Sequence, residues 1–130
     1  MPLSHVERRE SFIGFAGVAA VTLVFFWRAC LGRCFYAIDF HLTFEPLRRV
    51  LGESLRAGSV AWNPWISNGT PLLANPLSAA TYPPSWLFAV LDAAPALTLL
   101  TVLHVLLGAW GVWVLARRWN LGLAGATVAA

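Results

Sequence analysis

The order of apolar and polar positions divides the chain before any single residue needs attention. MPLSHVERRE, residues 1–10, is short, polar and charged. From Phe12 to Trp27 the sequence FIGFAGVAAVTLVFFW is apolar, and Cys30 and Leu31 carry it past Arg28. About twenty apolar residues cross a bilayer's hydrocarbon, and an arginine near the end reaches the headgroups. The pattern predicts a transmembrane helix over 11–31. A signal peptide is the competing reading, but the flank WRACLGRCFY offers no small-x-small cleavage site. A second run, PALTLLTVLHVLLGAWGVWVLA over 95–116, predicts a helix about 33 Å long. A third begins at Leu121 as LGLAGATVAA and is read as the start of a further span, cut short by the end of the chain.

Between the first two runs lies a long loop, 32–94, with two textures. Phe44, Leu47, Val50, Leu51 and Leu55 recur at helical spacing, with Glu45, Arg48, Arg49, Gly52 and Arg56 on the other face. This predicts an amphipathic helix over 43–57, with Thr43 as cap, Pro46 in the first turn and Gly58 as stop. Beside a span, such a basic helix is expected to lie in the membrane interface. After Gly58 the periodicity ends. Pro64, Pro71, Pro76, Pro83 and Pro84 stand among Asn63, Asn68, Gly69 and Asn75, which predicts a series of turns. The tryptophans and leucines of this stretch mark it as ordered and folded back on the membrane face.

Composition strengthens the membrane reading. The chain has 130 residues, 58% hydrophobic and 12% charged, with mean hydropathy +0.67. A soluble domain carries about twice that charge. The net charge of +3 comes from arginine, with no lysine, and no basic run with interleaved aromatics points to nucleic acid. Arg8 and Arg9 flank the first run, and Arg117 and Arg118 the second. By the positive-inside rule both pairs are cytoplasmic and the loop is outside, although Arg33, Arg48, Arg49 and Arg56 lie in that loop. Cys30 and Cys34 are read as small packing residues, because two ligands make no zinc site and helical four-residue spacing suits no disulfide. The fold class that follows is all-α, a polytopic membrane fragment. It has a cytoplasmic tail (1–10), two complete spans (11–31 and 95–116) and an extracytoplasmic loop carrying an interfacial helix (43–57). A cytoplasmic turn (117–120) leads to the start of a third span (121–130).

No nucleophile elbow, phosphate loop, zinc helix or dinucleotide fingerprint occurs. The candidates are isolated groups. Asp39, in YAIDFH, has apolar neighbours that suit a carboxylate to general-base work; a helix cap or an arginine partner is the structural alternative. His41 stands two residues on, either as an assistant or ligand or as an ordinary interfacial histidine. Glu45 favours the helix dipole. Arg48, Arg49 and Arg56 are placed to meet a lipid phosphate or headgroups in general. His104 is the ionisable residue inside a span, functional or simply bonded to a neighbouring helix.

The phrases LRAGSVAWNPWISNGTPLLANPLSAATYPPSWL and LHVLLGAWGVWVLARRW, following Asp39, resemble the YfhO-like bacterial membrane proteins over about residues 12–125. That family is similar to the GT-C glycosyltransferases and far longer, so the chain resembles its amino-terminal piece. The resemblance implies a multi-pass protein of the bacterial cell membrane, its amino terminus cytoplasmic. It would transfer sugar from a polyprenyl-phosphate carrier to an envelope polymer or lipid outside the cytoplasm. Asp39 would be the base that deprotonates or orients the acceptor hydroxyl, with inversion at the anomeric carbon. The loop helix, with Arg48, Arg49 and His41 as substrate-binding candidates, would help form the donor's entrance. Membrane lipids are further partners. No cofactor is implied with certainty, and use of a divalent metal is left open. The alternatives are a non-enzymatic envelope transport or assembly protein and an inactive truncated fragment.

Overall fold

The computed structural model describes residues 5–31 and 38–130. Helix α1 (His5–Phe25) is followed by a single turn, α2 (Trp27–Cys30). A π turn (Phe40–Phe44) runs into α3 (Glu45–Arg56). A minimal antiparallel ladder pairs β1 (Trp62–Asn63) with β2 (Thr70–Pro71) in the register Trp62↔Pro71 and Asn63↔Thr70. Short 3-10 segments at Pro76–Ser78 and Pro83–Ala89 lead to α4 (Ala93–Arg118) and α5 (Leu123–Ala129). The chain divides into two compact units, one made of residues up to Leu31 with Thr101–Ala130, the other of the residues between.

The expectation of two complete spans is overturned. Among the described residues one helix, α4, is long and apolar enough to cross a membrane by length and composition. The first apolar run fails on continuity. Helix α1 is apolar only from Phe12 to Phe25, about 21 Å at 1.5 Å per residue, against a hydrocarbon core of about 30 Å. The Thr22 hydroxyl returns to the Val18 carbonyl at 2.9 Å, a bond that bends helices, and the helix breaks at Phe26 (φ −96°, ψ 19°). The expected third span appears as the seven residues of α5. The all-α expectation also gives way to the small β1–β2 ladder.

In the first unit, Val18, Trp113, Ala116 and Ala126 form the core. The Trp113 indole lies so close over Gly14 that a Cβ there would stand 2.1 Å from the ring. Trp110 stacks on Trp113 at 4.7 Å and meets Phe15 edge-on at 5.4 Å. Arg117 pairs with Glu10 and lies over the Trp113 ring, so the start of α1 and the end of α4 stand together. Helix α4 ends on Asn120 in the left-handed region (φ 62°), with Leu121 N–H bonding back to the Ala116 carbonyl.

In the second unit, Leu47, Leu51, Leu72, Ala80, Phe88 and Ala96 make the core, with Val50 and Leu55 packed against it. The apolar stripe of α3 is therefore occupied by the chain's own 3-10 segment and turns. This corrects the expectation that α3 lies with that stripe in the membrane interface. Its start also differs: Thr43 is inside the π turn rather than a cap. Pro46 lacks the N–H that the Leu42 carbonyl would need for an ordinary helical bond, and the preceding turn widens. The stop at Gly58 is found, at φ 75°. The proline-rich stretch is built from a repeated device. Asn63 Oδ1 accepts from the Trp65 N–H at 3.0 Å, and Asn75 Oδ1 from the Leu77 N–H at 2.9 Å, each across a proline.

Gly52 sets how near α3 comes to Pro83–Ala89. A Cβ there would lie 2.2 Å from the Phe88 carbonyl oxygen, which is backbone and has no rotamer to yield. Gly52→Val should destabilise the second unit by at least about 1–3 kcal/mol. Chemical denaturation in detergent, followed by far-ultraviolet circular dichroism, measures this. An unchanged midpoint would mean that α3 does not sit on that segment.

Candidate functional site

The site begins at Ile38, where the chain is helical. Asp39 adopts helical angles (φ −62°, ψ −32°) one residue before the π turn. Its carboxylate is exposed and, among the described residues, makes no hydrogen bond or ion pair. The apolar enclosure expected around it is not formed by the described residues, since Ile38 is exposed as well. Arg33, the partner considered for it, and Cys34 lie outside the described residues.

One turn further, Glu45 acts as the hub. Being ionised, the carboxylate only accepts, so His41 carries its proton on Nδ1 and donates to Glu45 Oε2 at 2.8 Å. Arg49 Nη2 donates to Oε1 at 3.1 Å. The hydrogen bond from His41 draws the Glu45 pKa below the ordinary carboxylate value of 4.5; desolvation opposes this, and Arg49 adds to the lowering. Glu45 was expected only to favour the helix dipole. Its position in the first turn fits that role, and the four-residue spacing on both sides gives it two hydrogen-bond donors to hold.

Arg48 departs from this group. Its guanidinium donates to the Ser78 carbonyl and lies 5.6 Å from the centre of the Phe88 ring. Burial lowers its pKa from the ordinary value. Arg48 thus ties the Pro76–Ser78 turn to α3, whereas Arg49 faces outward, its side chain 61% exposed. Of the two arginines expected to meet substrate, only Arg49 is turned toward an opening. Arg56 is exposed in the last turn of α3, and His104 is exposed on α4.

The opening is a groove of about 460 Å³. His41, Glu45, Arg49 and Glu53 line it along α3, and Trp65 closes it from the Asn63–Pro64 turn, with Pro46 and Val50 between. Asp39 is not part of the wall. Glu53 and Trp65 are not among the candidates that the sequence singled out. The series 41, 45, 49, 53 was readable as one helical face, but nothing local connects Trp65 to it. Among the described residues no three His, Cys, Asp or Glu side chains converge as a metal site. The arrangement offers a free carboxylate at Asp39, a polarised imidazole at His41, and a groove carrying both signs of charge beside an indole.

Comparison of the chain with protein-family models, curated proteins and solved structures finds no match.

Glu45 carries a pH signature. Its folded pKa lies below its unfolded value, so its contribution to stability is complete above about pH 4.5 and is lost as pH falls through the lowered folded value. Glu45→Gln should be less stable than the parent at neutral pH and should converge with it in acid. Denaturation midpoints from pH 7 to pH 3 check this, and parallel acid profiles would contradict it.

Proposed function

We propose that the chain is a membrane-anchored part of an envelope glycosyltransferase that takes its sugar from a polyprenyl-phosphate carrier, with Asp39 as the acceptor-activating base. Helix α4 supplies the anchor. The observation that carries the reading is the state of Asp39: exposed, without a partner among the described residues, and on a backbone of helical angles two residues before His41, which lines a polar groove. A general base must have its lone pairs free for the proton it takes, and it must be fixed in direction. Asp39 meets the first condition, on a backbone of helical angles, whereas Glu45 has both oxygens occupied. The phrases from Leu55 to Leu87 and from Leu103 to Trp119 support the same reading by their likeness to YfhO-like proteins.

In the proposed step the Asp39 carboxylate accepts the proton of the acceptor hydroxyl. The acceptor oxygen bonds to the anomeric carbon from the face opposite the carrier, and the bond from that carbon to the phosphate oxygen breaks. The electron pair leaves with the polyprenyl phosphate, and the sugar is inverted. His41, hydrogen-bonded to Glu45, follows the base by two residues. The acceptor would be an envelope polymer or lipid on the outer face of a bacterial cell membrane.

Asp39→Asn in the intact protein should lower sugar transfer by about 10²-fold or more while membrane insertion is unchanged. Transfer of labelled sugar by isolated membranes reads the first, and resistance to alkaline extraction the second. Unaltered transfer would remove Asp39 from the chemistry.

A further inference from the structure

The charge ladder on α3 is incomplete in a way that leaves two groups available. His41, Glu45, Arg49 and Glu53 alternate between donor and acceptor at four-residue spacing and line one groove. Arg49 turns back to Glu45, the favoured direction for an acid–base pair four apart with the acid first. Glu53 is left over. Its carboxylate is exposed and has no hydrogen bond or ion pair among the described residues. The Trp65 indole, 76% exposed, lines the same groove. A carboxylate and an aromatic ring lining one groove are the two groups that recognise an ammonium. Arg49 has committed one nitrogen to Glu45, and its remaining N–H groups suit a phosphate oxygen.

We propose that this groove binds a phosphate ester bearing an ammonium group, the chemistry of a phosphoethanolamine headgroup. The ammonium would lie between Glu53 and Trp65 and the phosphate against Arg49. A volume of about 460 Å³ suits such a ligand. Two sources carry this chemistry, a membrane lipid and a soluble glycerophosphoester. The lipid is the better supplied in a chain whose next long helix is suited to cross a membrane. The proposal does not rest on sugar transfer: a polyprenyl phosphate has no ammonium, and Asp39 is not in the groove wall.

Calorimetric titration of the full chain in maltoside micelles tests this, with dihexanoyl phosphatidylethanolamine, dihexanoyl phosphatidylglycerol and glycerophosphoethanolamine as probes. The ethanolamine lipid should bind at least about tenfold more tightly than the glycerol lipid. Glu53→Gln and Trp65→Ala should each remove about tenfold of that affinity and leave the glycerol lipid unaffected, with the helical circular dichroism of both variants unchanged. Equal binding of the soluble ester would support the site and name the soluble source; binding of the lipid alone would support it and name the membrane. Equal affinity for the two lipids, unaltered affinity in both folded variants, or no binding of any probe would overturn the proposal.

Discussion

The close approach of α3 to the backbone at Phe88 is the constraint on which the second unit depends. Gly52 has no side chain, so the helix settles against the Phe88 carbonyl, and Leu47 and Leu51 then reach Leu72, Ala80 and Ala96. Burying side chains such as Leu51 and Phe88 stabilises by about 1.5–3 kcal/mol each. Arg48 extends the same contact by holding the Ser78 carbonyl, which fixes the turn that follows Asn75. With one face of α3 seated and the next tied down, the remaining face has a fixed direction. That face carries His41, Glu45, Arg49 and Glu53. Its geometry follows from packing on the far side of the helix, and the groove is a consequence of the core.

The first unit uses the same device with a different outcome. Trp113 lies flat against Gly14, and Trp110 stacks beside it, so an apolar helix packs on aromatic rings of its own chain. Apolar character in α1 therefore serves internal contact as well as any external solvent. A run of hydrophobic residues measures how much surface must leave water and does not say whether protein or lipid receives it.

The legible elements were those that depend on local rules. Pro95 to Ala116 is apolar and closed by Arg117, and α4 contains that stretch. The spacing of Leu47, Leu51 and Leu55 gave α3 its face, and Gly58 its end. The Asn–Pro steps foretold turns because a proline and an Asx side chain act within three residues. Elsewhere the decisive partner is distant or the deviation subtle. The break at Phe26 follows a turn in which the Thr22 hydroxyl bonds back to the Val18 carbonyl, a choice of partner the apolar pattern does not reveal. Amphipathicity in α3 was clear, but a lipid interface and a packed 3-10 segment ask for the same stripe. At the site, Asp39 and His41 were singled out from sequence; His41 stands in the groove wall and Asp39 does not. Arg48 was grouped with Arg49 because adjacent residues look alike in sequence, although on a helix they point about 100° apart. Trp65 owes its place to tertiary folding and had no signal.

The central claim is that α3 is seated within a folded unit of its own chain. Hydrogen exchange of the full chain in detergent, without bilayer lipid, tests it most directly. The account predicts that the amides of Leu47 to Leu55 exchange slowly and together with those of Leu72 and Val90, as one cooperative unit. Rapid exchange of α3 while Leu72 and Val90 remain protected, with protection of α3 appearing only when bilayer lipid is added, would contradict it.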